Sequence, residues 1–269
     1  MKRLILISLP LVVLNLAVSL ISKEETEKLA ESNKFNVINV QGKILFIKSG
    51  EEMKRGDIYL SGTKLDFESN GSRAAIVNKS KGRFVLTGNT KGKIKILPAA
   101  NNISSRNGAL LNILDLKKHF DGRYLILKRS EVQISKSSFP MDNETFFYLT
   151  YDYNGEEIAK KLRHEDDFLI LDKDEIFKVD GNPIPVTDKE MTLYYRENGK
   201  GTKINTFTPV FANNDELVDE VGMLLKSFEG EDARTKINEV TAHLIDFYGT
   251  PHNGNLKSWL KAEFNLESK

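Results

Sequence analysis

The chain has 269 residues, 40% of them hydrophobic and 29% charged, with a formal net charge of +1. That balance suits a soluble globular protein and supplies none of the basic footprint that nucleic acid requires, so no nucleic-acid partner is expected. The absence of cysteine excludes disulfides, thiolate nucleophiles, a lipid-modified cysteine and Cys-ligated zinc together.

The first predicted element is an export segment, residues 1–22, acting as a signal peptide or an N-terminal anchor. Lys2 and Arg3 precede an apolar run from Leu4 to Ile21, which is the layout of a secretory signal. Ala17 and Ser19 put small residues at the −3 and −1 positions of a cleavage after Ser19, and Ser22 is a second candidate. The rival is an uncleaved anchor: the run is 18 residues long, at the lower edge of a membrane span, and Pro10 and Asn15 interrupt it. The membrane is therefore met only through residues 4–21, and only if they are retained. The expected location is periplasmic or secreted, with anchoring in the inner membrane by the N-terminus as the alternative. A polar linker, residues 23–34, follows.

From Phe35 to Leu97 short apolar runs alternate with turn residues. The runs are Phe35 to Val40, Lys43 to Lys48, Asp57 to Leu60, Lys64 to Glu68, Arg73 to Asn78, Arg83 to Thr87 and Lys93 to Leu97. Pairs such as Gln41-Gly42, Arg55-Gly56 and Lys81-Gly82 separate them. Strands and turns at this spacing predict an all-β sandwich or barrel over residues 35–97.

Within that stretch, Val40 to Lys48 carries Gly42, Met53 to Leu60 carries Gly56-Asp57, and Leu65 to Val77 carries Ser69-Asn70-Gly71-Ser72. In order and spacing these resemble a FecR-like domain, a resemblance confined to this part of the chain. It implies a small β-rich unit of extracytoplasmic bacterial proteins. Regulators of that type carry a cytoplasmic region ahead of their membrane segment. Here only Met1, Lys2 and Arg3 precede the apolar run, so transcriptional regulation by that route is not expected. Gly56 and Asp57 read as a turn, with glycine supplying the conformation and the carboxylate bonding local N–H groups.

Residues 98–108, rich in Asn, Ser and Gly, form the predicted linker to a second domain over residues 109–269. Strands are expected at Arg123 to Lys128, Thr145 to Asp152, Phe168 to Leu171, Glu175 to Val179, Met191 to Tyr195 and Lys203 to Phe211. Asp180-Gly181 and Asn198-Gly199 mark hairpin turns. Glu156 to Arg163 reads as one or two helical turns, because Ile158 and Leu162 stand at i, i+4. The last third changes period. Stripes at Leu217, Val221, Leu224, Leu225 and Phe228, then at Ile237, Val240, Leu244 and Phe247, then at Leu256, Trp259, Leu260 and Phe264 predict three helices. Asn213 with Glu216 has the spacing of a capping box, and Gly249 with Pro251 ends the second helix. The expected fold class is thus α+β: an N-terminal all-β unit, then an antiparallel-sheet domain with C-terminal helices.

The densest carboxylates are Glu165, Asp166 and Asp167 beside His164, and Asp172, Asp174 and Glu175. Asp172-x-Asp174 lacks the later glycine and distal glutamate of a calcium loop. His119, His164, His243 and His252 show no metal-binding spacing, and no nucleophile elbow or phosphate loop occurs. No catalytic, cofactor-binding or metal residue is singled out, and no cofactor is expected. The reading is an exported, non-enzymatic binding or scaffolding protein of the bacterial envelope, recognising an envelope or secreted protein or a glycan. The alternatives are a cell-wall or surface-polymer hydrolase using carboxylates of the 164–175 region, such as Glu165, Asp166 or Asp174, and a membrane-anchored sensor.

Overall fold

The computed structural model describes residues 33–69, 71–88, 94–96 and 108–267. The expected export segment, residues 1–22, and most of the expected linkers, residues 23–34 and 98–108, lie outside them. By its contacts the chain divides into two units, Met1–Leu97 with Met223–Glu229, and Pro98–Gly222 with Gly230–Lys269. The fold class is mixed α+β, strand-rich, with helices at the C-terminal end.

In the first unit seven strands form where the punctuated apolar runs predict them: β1 (Lys34–Gln41), β2 (Ile44–Phe46), β3 (Ile58–Leu60), β4 (Leu65–Phe67), β5 (Arg73–Asn78), β6 (Gly82–Thr87) and β7 (Ile94–Ile96). Five of them make an antiparallel sheet in the order β3-β1-β5-β6-β7, while β2 and β4 pair as a separate ribbon. Among the described residues no barrel closes, which corrects the barrel alternative. The edges are β3 and β7, three residues each, and such short ladders leave too little pairing to join into a ring. Ribbon and sheet share one core: Ile44, Phe46 and Leu65 pack with Phe35, Val37, Ile76 and Phe84. Burying each large side chain contributes about 1.5–3 kcal/mol. Asn78, fully buried, fixes the β5–β6 turn. Its Nδ2 donates to the Lys34 carbonyl at 2.8 Å, and its Oδ1 accepts from the N–H of Ser80 at 3.0 Å and of Lys81 at 2.9 Å.

Tyr59 stacks on Phe35 with ring centroids 5.5 Å apart, and its buried Oη has no partner among the described residues. Desolvation raises the phenol's pKa well above the usual range. A hydroxyl stranded in this way costs about 1–3 kcal/mol. Tyr59→Phe is therefore expected to raise stability by about 1 kcal/mol in a urea titration. A loss of stability would show that the hydroxyl does have a partner.

The second unit opens with α1 (Ile113–His119), followed by β8 (Gly122–Ile126), β9 (Ser130–Gln133), β10 (Phe146–Tyr153), β11 (Glu156–Lys161), β12 (His164–Glu165), β13 (Phe168–Leu171), α2 (Lys173–Ile176), β14 (Lys178–Val179), β15 (Asn182–Pro183), β16 (Met191–Glu197) and β17 (Lys200–Phe211). The chain continues with α3 (Asn214–Ser227), of which the second unit includes the part up to Gly222, and then α4 (Ala233–Phe247), β18 (Thr250–Pro251) and α5 (Asn253–Phe264). The main sheet has the order β11-β10-β16-β17-β8-β18, and a smaller one the order β12-β13-β9. Phe147, Leu149, Leu193 and Phe207 of the main sheet meet Leu116 of α1, Phe120 just after it, Val132 of β9 and Leu169 of β13 in a single core.

Three expectations need correction here. The main sheet is mixed, not antiparallel: β8 runs parallel to β17 on one side and to β18 on the other. Parallel neighbours need long crossovers, and the connection from β17 to β18 supplies one in α3 and α4. Glu156 to Arg163 is not helical. Asn154 and Gly155, with φ of 55° and 83°, make a tight turn of the kind hairpins favour, and β11 pairs antiparallel with β10 from Tyr153↔Glu156 to Tyr148↔Lys161. Glu175 to Val179 is not one strand but the end of α2 followed by β14.

The C-terminal helices occupy the three predicted stripes. Asn213 Oδ1 accepts from the Asp215 N–H at 3.1 Å, and Asp232 Oδ1 from the Thr235 N–H at 2.8 Å. Each cap satisfies a donor that the first helical turn leaves open. Gly249 closes α4, its N–H donating to the Leu244 carbonyl at 3.0 Å. Among the described residues no helix is long and apolar enough to cross a membrane.

Candidate functional site

A cavity of about 680 Å³ opens in the second unit, within the range of small-molecule sites. Its walls are the segment 108–111 that leads into α1, the end of α1, Tyr124 of β8, Thr241 and Ile245 of α4, and the turn from β18 into α5. Leu110, Leu111, Ile245 and Leu256 make it partly apolar; Asp115, Lys118, His119, Asn253 and His252 are among its polar residues. Leu111 is exposed, as are Ile113 and Leu114 beside it at the start of α1.

Local chemistry holds each histidine in place. Helix α1 is capped by Asn112, whose Oδ1 accepts from the Asp115 N–H at 3.0 Å. Its other end is tied to β17, because Asn205 Nδ2 donates to the carbonyls of Lys117 and Phe120 at 2.9 and 2.7 Å. His119 is thereby fixed at the last turn, its Nε2 2.9 Å from the Tyr124 Oη. Tyr124 Oη lies 3.2 Å from Ser130 Oγ, which accepts from Asn255 Nδ2 at 2.7 Å. His252 caps α5, its Nδ1 accepting from the Asn255 N–H at 3.4 Å. The two imidazoles stand edge to face, 5.2 Å between centroids. A hydrogen-bonded chain thus runs from His119 through three buried or half-buried groups back to the turn that carries His252.

Burial, and then the neighbouring His252, push the His119 pKa down to about 3; burial likewise lowers that of His252. Both rings are therefore neutral near pH 7. The sign for stability follows. An unfolded chain protonates this imidazole below about pH 6.5, whereas the folded one resists until about pH 3. The contribution is whole above pH 6.5 and is lost as pH falls, by up to about 1.4 kcal/mol per unit for His119 alone. Urea midpoints are expected to drop between about pH 6.5 and 4.5, and to drop less steeply in His119→Gln, whose amide also accepts from Tyr124. Equal slopes would contradict a buried neutral ring.

A second polar cluster lies between α3 and α4. Glu220 and His243 are both fully buried, with Nε2 2.5 Å from Oε1, and Tyr248 Oη donates to Oε2 at 2.8 Å. His243 Nδ1 has no partner among the described residues.

The carboxylates of the 164–175 region sit elsewhere: Glu165 on β12, Asp166 and Asp167 in the turn to β13, and Asp172, Asp174 and Glu175 at α2; two arginines pair with Glu165 and Glu175. Arg163 pairs with Glu165 and, at 2.8 Å, with Glu175; Arg129 pairs with Glu131 at 2.5 Å and with Glu165 at 3.2 Å. Arg163 first, and Arg129 with it, hold the Glu165 carboxyl below its usual range, opposite to the shift a general acid requires. Asp172 caps α2, its Oδ1 accepting from the Asp174 N–H at 2.9 Å, and Asp167 accepts from Gln133 at 2.7 Å. Among the described residues no group of three or more His, Asp or Glu is arranged to hold a metal.

Sequence reasoning singled out neither His119 nor His252. One ends a seven-residue helix and the other caps a helix, and their only sequence signal is the helix boundary each marks. No protein-family model matches the chain, and no curated protein matches it.

Proposed function

We propose that the chain is an exported, non-enzymatic binding protein of the bacterial envelope, whose second unit receives part of a protein or glycan partner in the cavity beside His119 and His252. The observation that carries this reading is the state of the polar groups. The cavity's histidines are held neutral within a hydrogen-bond chain, while Glu165 and Glu175, two of the carboxylates of the 164–175 region, are paired with Arg129 and Arg163. Such a lining suits recognition. Exposed Leu111, Ile113 and Leu114 extend an apolar lip from the cavity for a partner larger than the cavity itself.

The first unit is assigned to the FecR-like type on the residues that carry the resemblance. Asp57 Oδ2 accepts from the Lys54 N–H at 2.7 Å, closing the turn before β3. Gly42 lies so close to Ser72 that a Cβ there would be 2.6 Å from its Oγ, and Ser69 Oγ is 3.0 Å from the same atom.

Export is tested by expressing the full chain in a Gram-negative host and measuring its intact mass after fractionation. A product beginning at Leu20 or Lys23 in the soluble periplasm or medium supports a diffusible protein; one retaining Met1 in the membrane fraction supports the anchored form. Binding is tested on envelope extracts with the wild type and Ala109→Trp, which places an indole in the cavity. A partner retained by the first and lost by the second supports the reading. Equal capture by both, or none by either, overturns it.

A further inference from the structure

The hydrogen-bond chain fixes where the protons sit. Ser130 Oγ accepts from Asn255 Nδ2, so its own hydrogen goes to Tyr124 Oη, its one remaining acceptor among the described residues. A buried hydroxyl hydrogen left without an acceptor would be costly. Tyr124 then donates to His119 Nε2, which leaves the His119 proton on Nδ1. On His252, Nδ1 accepts from the Asn255 N–H, so its proton is on Nε2. Two neighbouring imidazoles on the cavity wall, 5.2 Å apart, therefore each keep one N–H that nothing among the described residues accepts. A neutral imidazole set in one tautomer by its second nitrogen is a donor of fixed identity.

Charge on the lining points the same way. Asp115 is engaged by the Asn112 side chain at 3.0 Å and by the Leu111 N–H at 3.3 Å. Lys118, also on the lining, has no carboxylate partner among the described residues. Two N–H donors and one cation thus stand on the lining beside Asp115, Thr241, Thr250 and Asn253, with Leu110, Leu111, Ile245 and Leu256 supplying apolar wall around them.

We infer, on the reading of the cavity as a binding seat, that it takes a carboxylate carried on a small apolar body, with the His119 and His252 N–H groups and the Lys118 ammonium facing the carboxylate oxygens. Charge-assisted bonds of this type are the strong ones. The same chemistry is offered by a free organic acid and by the C-terminus of a peptide, and separate arms of one experiment distinguish them.

Calorimetry on the full chain compares hexanoate with 1-hexanol, and the tripeptide Ala-Leu-Leu with its C-terminal amide. The acid or the free-ended peptide is expected to bind at least about tenfold more tightly than its uncharged counterpart. Lys118→Met, an exposed change, and His252→Ser, which keeps a helix-capping residue, are each expected to weaken that binding on the order of tenfold. In ¹⁵N spectra His119 is expected as the Nδ1–H tautomer and His252 as the Nε2–H tautomer, with both N–H signals moving on titration. Equal binding of charged and uncharged probes, or acid binding unchanged in both variants, overturns the ligand class while leaving the cavity a binding seat. If none of the four probes binds, this inference fails. If, in addition, no member of a fragment library shifts the histidine signals, the reading of the cavity as a seat fails with it.

Discussion

Glu220→Ala is expected to cost about 3–5 kcal/mol of folding stability, read as a fall in the urea midpoint at unchanged slope. Glu220 lies fully buried between two helices and accepts from two side chains, His243 at 2.5 Å and Tyr248 at 2.8 Å. Truncation strands the fully buried His243 donor at about 1–3 kcal/mol, takes an acceptor from the half-buried Tyr248, and leaves a void where the side chain stood. Glu220→Gln keeps the volume and an acceptor for Tyr248 but offers His243 an amide, so its cost is expected to be about half as large. An alanine variant within about 1 kcal/mol of the wild type would mean the cluster contributes little to holding α3 against α4.

Gly249→Ala is the other large effect, at about 3 kcal/mol or more. Gly249 has φ of 117°, a conformation that L side chains rarely adopt. A Cβ built there would lie 2.3 Å from the carbonyl oxygen of Arg123 and 2.5 Å from its carbonyl carbon. Those atoms are backbone of β8 and cannot swing aside as a side-chain tip does. Accommodation has to separate β18 from β8, which pair as Thr250↔Tyr124, and so disturbs the wall that carries His252. Thermal melts should show the loss, and the His252 imidazole signal should move with it. A melt unchanged from the wild type would mean that β18 does not need its tight approach to β8.

Much of the fold was legible because local chemistry repeats at the right period. All seven strands of the first unit follow from apolar runs cut by glycine-containing turns, and the three C-terminal helices from stripes such as Leu217, Val221 and Leu224. Residues 156–161 misled for a physical reason. Glu156-Glu157-Ile158-Ala159-Lys160-Lys161 is made of good helix formers, and as an edge strand with one face in solvent it lacks the β-branched density that marks a buried strand. The pairing with β10 overrides that local preference. Strand direction was not legible at all, since period-2 alternation is the same whether a neighbour runs parallel or antiparallel; only the crossover through α3 and α4 decides it. The candidate site was invisible for a similar reason. His119 and His252 are brought side by side by β8, β18 and the Ser130–Asn255 bond, none of which leaves a spacing in the sequence.

Placing β8 between β17 and β18 also sets a timetable. Strand β8 is made early, yet one neighbour spans Lys200–Phe211 and the other Thr250–Pro251, close to the C-terminus. A chain made N-terminus first therefore holds β8 with an open edge until residues 250–251 have been added. The pocket cannot exist before then, because one of its two imidazoles arrives with the last helix. A chain cut short before residue 252 would lack one wall of the cavity however well its first unit had folded.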